Sequence, residues 1–349
     1  MDKRARLTYT LIEIAVDNGI RDISGNTRRG IRNLIDLGSH LTQGRLQQHF
    51  FHIIQHMLAD KDSHLYEVTK DVIEHVDHQM LKNTAVKLGY TCCTYGYQKM
   101  QRYEQKHGHK VPRALIFDLR EEYPDILTQS EISSLLACGE SIGIFCGIFL
   151  MNGDQQRAAH LVKGLTRHKE GVYFLLAPPE AVTPSIAQMV LNAKNIVPLI
   201  RLQAENDYQS YLPAAGILFA HQCLFATYSG YNADNLDDLI SDTQLELIEK
   251  ARGVAYVLIR SDNFSPAENL QLITGFSVNS KAEHRYPFLI IDLYSELAEH
   301  TDYEPDHFMA IRGDGTVAVR TLENLLPQYN IRTLSLKDIM EQVMPEISY

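Results

Sequence analysis

Through the first hundred residues, apolar positions recur three and four apart. Leu7, Leu11 and Ile14 form one set, Ile31, Leu34 and Ile35 a second, and Phe50, Ile53, Ile54 and Met57 a third. That spacing puts each set on one face of a helix. Asn26 or Thr27 is placed to cap the second helix, and Gly38 or Gly44 to end or punctuate it. Asp62 or Ser63 is placed to cap a fourth, through Tyr66, Val68 and Val72. A fifth runs from His78 into KLGYTCCTYGYQKM, where Gly89, Cys92, Cys93 and Gly96 leave room for a close neighbour. A short bundle with several glycines has a limited core of its own. These helices are therefore expected to pack on the rest of the chain, through Phe50, Ile53, Ile54 and Met57.

From Arg113 the pattern changes. Continuous apolar runs of strand length appear at 114–118, 144–151, 172–176, 196–200, 222–228, 254–260 and 287–292. Helical stretches lie between most of them, at 130–138, 155–169, 183–193, 234–251 and 265–273. Strands buried on both faces and alternating with helices predict a parallel sheet, doubly wound or closed toward a barrel. Gln209 to Phe219, with Pro213 and Gly216, reads as a short, broken helix. His307–Ile311 and Thr316–Arg320 flank Arg312-Gly313-Asp314-Gly315, a hairpin signal. A last helix, Ser335 to Met344, is capped by Ser335. The fold class is α/β, with a partial (β/α) barrel of parallel strands at 111–294. An all-helical region, 1–110, precedes it, and a β-hairpin and helix, 295–349, follow.

Composition removes several function classes. Among 349 residues, 45% are hydrophobic and 22% charged, as in ordinary globular proteins. A formal charge of −10 argues against nucleic-acid binding, which needs a basic surface. No apolar run reaches the ~18 residues of a membrane span. The first helix carries Glu13 and Asp17, which excludes a signal peptide. The five cysteines, Cys92, Cys93, Cys138, Cys146 and Cys223, make no CxxC and no disulfide framework. They predict a reducing, cytoplasmic setting.

Three stretches resemble the radical S-adenosylmethionine superfamily, in its SPASM-like subgroup with a helical N-terminal region. LGYTCCTYGYQKMQRYEQKHGHKVPRALIFDL is similar to that subgroup's approach to its first strand. IGIFCGIFLMNGD stands where the family has a strand ending in a GGEP-like motif. FMAIRGDGTVAVRTLENLLPQYNIRTLSLKDIM resembles its C-terminal extension. The resemblance implies a CxxxCxxC loop after the first strand, whose three thiolates hold a [4Fe–4S] cluster that binds S-adenosylmethionine. Here that loop, REEYPDILTQ, holds no cysteine and looks shortened. Its Glu121, Glu122 and Asp125 are hard oxygen donors. Asn152-Gly153-Asp154 replaces Gly-Gly-Glu. Arg201-Leu202-Gln203 stands where the family often has a serine and an acid, and VAVRT lacks the auxiliary-cluster cysteine. The expectation is a degenerate, cluster-less homologue with no iron–sulfur cofactor.

Barrel sites form at the C-terminal ends of strands. Asp118, Asn152, Gly153, Asp154, Arg201, Gln203 and Tyr228 fall there and are the candidate ligand-binding residues, with S-adenosylmethionine among the ligands considered. Arg260, Asp262 and Asp292 fall at strand ends as well. The resulting expectation is a non-catalytic binding, regulatory or partner subunit. It has a protein partner, a small polar ligand at the mouth, and neither nucleic acid nor membrane. Two other readings stand beside it. One is an enzyme with cluster-independent chemistry on Asp118, Asp154 or Asp292. The other is a metal-binding helical region using His49, His52 and His56, where a helix puts all three on one face. Glu74, Asp77 and His78 offer a second, incomplete set.

Overall fold

The computed structural model describes residues 2–41, 51–52, 54–56, 58–60, 63, 65–203, 208–232, 234–260, 267–283, 286–293, 309–320, 322 and 324–347. His49, Phe50, Ile53, Met57, Asp62 and Asp262 lie outside the described residues.

The N-terminal region is helical, with α1 Lys3–Gly25, α2 Thr27–Leu41, α3 Leu65–His75 and α4 His78–Val86. A π-helical stretch, Lys87–Gly96, and α5, Tyr97–His107, complete it. Asn26 accepts from the Arg29 N–H at 3.2 Å, as its place before α2 predicts, and α2 runs on through Gly38. In α1 the row that reveals the helix is not the buried one. Leu7, Leu11 and Ile14 are 64%, 60% and 54% exposed, while Ala5, Ile20 and Ile23 are buried. Two apolar rows run along α1, and periodicity alone gives no preference between them.

Among the described residues, ten strands form one sheet in the order β10-β9-β8-β1-β2-β3-β4-β5-β6-β7. The parallel run is β1 Leu115–Leu119, β2 Cys146–Met151, β3 Val172–Ala177, β4 Ile196–Arg201, β5 Ala226–Tyr231, β6 Ala255–Arg260 and β7 Leu289–Asp292. Helices α6 Gln129–Ile142, α7 Gln155–Leu165, α8 Pro184–Ala193, α9 Tyr208–Ala220, α10 Leu236–Leu239, α11 Asp242–Ala251 and α12 Ala267–Glu283 connect them. Sequential parallel strands with intervening helices make the predicted partial barrel.

Boundaries moved where caps decide them. The predicted helix 130–138 runs through Gly139 to Ile142, as α6, and ends at Gly143 with φ +113°. Strand β5 starts at Ala226, not at 222, because α9 closes on a left-handed Gln222 (φ 56°). Pro213 is absorbed inside α9. The predicted helix 234–251 is two, since Ser241 caps the second through the Gln244 N–H.

The C-terminal strands are β8 Met309–Arg312, β9 Thr316–Val319 and β10 Leu325–Asn330, before α13 Leu336–Val343. Strand β8 pairs parallel to β1, with Asp118 opposite Arg312, so the hairpin extends the barrel sheet at its first strand. The sequence reading missed β10.

Strand side chains alternate between two faces. Phe117, Phe149, Leu175, Ile200, Tyr231 and Leu258 join the core beneath the helices. Ile148, Leu150, Phe174, Leu176, Val197, Leu199, Tyr228 and Val257 line the other, concave face. The N-terminal helices meet the barrel at the opposite end from its mouth. Asp77 donates its N–H to Gln222 O at 2.8 Å and its carboxylate accepts from Lys194 Nζ at 2.9 Å. Cys92 Sγ donates to Phe145 O at 3.4 Å. Of the predicted contact residues within the described chain, Ile54 packs with Ile23, Ile31, Leu58, Leu65 and Tyr66, a helical cluster against which Leu289 of β7 is packed.

Candidate functional site

The site is built where β1, β2, β4 and β5 end. Asp118 points to the concave face and is 5% exposed. Arg120 grips it with two hydrogen bonds, Nε to Oδ1 at 2.8 Å and a terminal nitrogen to Oδ2 at 2.9 Å. Burial opposes ionisation, but these bonds and the Arg120 and Arg312 charges outweigh it and hold the Asp118 pKa below the usual carboxylate range. An ionised carboxylate whose two oxygens are occupied is a poor proton shuttle.

Asp154 is the N-cap of α7. Its Oδ1 accepts from the Gln156 and Arg157 N–H groups at 3.0 and 3.1 Å, so the carboxylate serves its own helix. Asn152 Oδ1 accepts from the Asp154 N–H at 3.2 Å. Gly153 gives space to the loop after β3: a Cβ there would lie 2.7 Å from Glu180 Cγ. Arg201 and Tyr228 are paired across β4 and β5 and share the concave face, and Gln203 stands exposed two residues beyond. Asp292 and Arg260 do not belong to the mouth. The strand register puts both on the helix-covered face, with Asp292 fully buried and accepting from Tyr231 OH at 3.3 Å.

Sequence reasoning missed the group that shapes this rim. The loop after β1, 120–128, is clasped by the C-terminal segment. Arg312, at the end of β8, pairs with Glu121 and lies 5.8 Å from the Tyr123 ring centre. Arg332, after β10, reaches Asp125 and Glu131, both at 2.8 Å, and Leu127 donates its N–H to Gly313 O at 2.7 Å. Arg332 is about two hundred residues away in the chain from the acids it binds, so no local pattern announces it.

The Arg332 hydrogen bond, with Thr128, pulls the Glu131 pKa from 4.5 to about 2. A depressed carboxylate stabilises the fold above its unfolded pKa, and that stability disappears as pH falls through the folded value. The window is therefore pH ~4.5 down to ~2. Solvent screening of this surface group brings the contribution to about 1 kcal/mol. Melting curves of wild type and Arg332→Met should differ at pH 6 and converge by about pH 2. A constant gap would mean that the clasp acts through packing.

The donor set after β1 does not fit a three-thiolate cluster. No cysteine lies between Asp118 and Ser130. Cys146 opens β2 and Cys223 precedes β5, at the far ends of their strands from the mouth. Burial pushes both thiols up to about 12 and the Cys92 thiol well above its usual value, so they stay protonated. Among the described residues no three His, Cys, Asp or Glu side chains gather as metal ligands. His52 and His56 are exposed. Asp77 caps α4, and His78 bonds Asp17 at 2.9 Å.

One constellation has the distances of a hydrolytic triad. Ser133 Oγ is 2.8 Å from His168 Nε2, and His168 Nδ1 is 3.0 Å from Glu140 Oε1. Ser133 sits inside α6, where its own N–H is spent in the helix and does not serve as an oxyanion donor. The three side chains tie α6 to the approach to β3.

The architecture is shared with solved structures. The crystal structure of Streptococcus suis SuiB matches with a TM-score of 0.52 at 10% identity, over 71% of this chain and 70% of that one. SuiB bound to S-adenosylmethionine gives 0.52 at 10% identity, over 70% and 69%. No protein-family profile and no curated protein matches the sequence. The fold is thus shared with these structures: a mostly parallel α/β sheet with a helical N-terminal region and a C-terminal hairpin. No helix among the described residues is long and apolar enough to cross a membrane.

Proposed function

We propose that this chain has exchanged cluster chemistry for binding. It acts as a non-catalytic regulatory or partner subunit, and its barrel mouth takes a small polar ligand beside Asn152, Arg201, Gln203 and Tyr228. The observation that carries this reading is the loop after β1. It is thiol-free and held to the C-terminal segment by Arg312 and Arg332, in the place where the fold would need an open, three-thiolate loop. The three aspartates with which an enzyme would begin support the same reading. Asp118 is gripped by Arg120, Asp154 caps α7, and Asp292 is buried on the other face.

Anaerobic reconstitution with iron and sulfide tests the first half. The expected result is no stoichiometric cluster and no broad absorbance near ~400 nm, where thiolate–iron charge transfer falls. A stoichiometric cluster overturns it. Thermal-shift screening against adenosyl compounds, nucleotides and amino acids tests the second half. A ligand that raises the melting temperature of wild type and not of Arg201→Ala locates the site, because stabilisation follows binding to the native state. Arg201 brings a fixed charge and a planar fork suited to a carboxylate or phosphate.

A further inference from the structure

His109 is 3% exposed, and neither of its ring nitrogens has a hydrogen-bond partner. The charged form of such a ring gives up water at two N–H groups and gains no acceptor, so burial favours the neutral form. His109 stands in the turn between α5 and β1. The Tyr103 ring lies edge-on to it at 5.8 Å, and the His107 ring lies at 6.1 Å. Tyr103 and His107 stack on each other at 4.1 Å.

The backbone of this turn is fastened to the segment after α13. Lys110 donates its N–H to Pro345 O at 2.9 Å, and Ile347 donates to Gly108 O at 2.9 Å. Between these bonds, His109 and Glu346 form an antiparallel bridge. Two backbone bonds are a light fastening. Helix α13 itself is anchored by the buried Leu336, Ile339 and Met340. Parting the segment from the turn is therefore the least costly way to bring water to His109.

Charged groups reach His109 from both sides. They are His107 and Glu104 of α5 and Glu341 of α13. Glu104 already accepts from the Val111 N–H at 3.0 Å and lies 3.8 Å from Arg113, and Glu341 is exposed. Burial lowers the His109 pKa. The His107 carbonyl, which makes no hydrogen bond to the ring, and the two glutamates do not make up for it, and a charge on His107 adds to the lowering. A histidine with a depressed folded pKa gives its full stability above the unfolded value of ~6.5 and loses it as pH falls below that. The Glu131 carboxylate of the Arg332 clasp is held at about 2, so the clasp stays ionised at pH 5.5.

We infer that His109 is the trigger of a pH-released strap: on taking up a proton it frees Pro345–Ile347 from Gly108–Lys110. Hydrogen exchange of the full chain tests this, read as protection relative to the free-peptide rate at each pH. From pH 7.5 to 5.5 the Lys110 and Ile347 amides should lose protection, on the order of tenfold per pH unit once the unfolded value is passed. The Tyr173 amide, bonded to Asn195 O at 2.9 Å in the barrel, should keep its protection. His109→Phe has no proton to accept and should hold both strap amides at their pH 7.5 level. His109→Leu serves if the larger ring does not fit. His107→Gln should still open. Strap amides equally protected at both pH values, the same loss in the His109 variants, a loss abolished by His107→Gln, or one shared by Tyr173 would each overturn the inference.

Discussion

Gly143→Ala should lower stability by about 3 kcal/mol, from strained backbone and overpacking together. Gly143 has φ +113°, a conformation that L side chains rarely adopt. A Cβ there would lie 2.5 Å from Gly96 O and 2.8 Å from the Met100 N–H nitrogen. Gly96 answers from the other side, with its own Cβ position 2.5 Å from Gly143 O. Two backbones touch here, and neither can move aside as a flexible side chain could. The contact joins the π-helical stretch to the end of α6, and hence the helical region to the barrel. For a chain of this size the melting temperature should fall on the order of 5–10 °C. Gly96→Ala should fall in the same range. Gly89→Ala, where nothing lies within 4 Å, should leave the melt unchanged or raise it slightly. Calorimetry of the three variants decides the matter, and a harmless Gly143→Ala would mean that the joint is loose.

A fragment of residues 1–106 should show no cooperative melt. Met80 is fully buried and Met100 is 3% exposed, and both belong to the main core with Leu115, Phe117 and Leu136. Met80 also receives the Leu224 N–H on its sulfur at 3.3 Å. Stripping these two side chains of their neighbours costs about 4 kcal/mol, a large part of the 5–15 kcal/mol, roughly, that holds a domain together. What remains to the fragment is the small cluster around Ile23, Ile31, Ile54, Leu58, Leu65 and Tyr66. Circular dichroism during heating should give a shallow, non-sigmoidal loss of helix. A sharp transition near that of the whole protein would make the region an independent unit.

The order of elements was legible because each leaves a local mark. Parallel strands covered on both faces read as unbroken apolar runs, as Cys146–Met151 and Val172–Ala177 do. Caps are local as well: Ser335 accepts from the Asp338 N–H, and Thr128 with Glu131 forms a capping box. The strand-end rule picked out Asp118, Asn152, Arg201, Gln203 and Tyr228, which stand in or just beyond β1, β2, β4 and β5. It also admitted Asp292 and Arg260, because a strand's period of two leaves its absolute face undefined until neighbours are paired.

What the sequence alone determined is a barrel-type alternation of strands and helices, with a thiol-free stretch after the first strand. Only tertiary structure decided the character of the mouth. Arg312 reaches Glu121 because β8 pairs with β1, and Arg332 reaches Asp125 and Glu131 because β10 carries it across the hairpin. Only tertiary structure, too, chose which apolar row of α1 is buried and which is left exposed. The reason is the same in both cases. Hydrogen-bond ladders and helix periods are set by neighbours in the chain, whereas ion pairs and face choice are set by neighbours in space, which the chain brings together only when it folds.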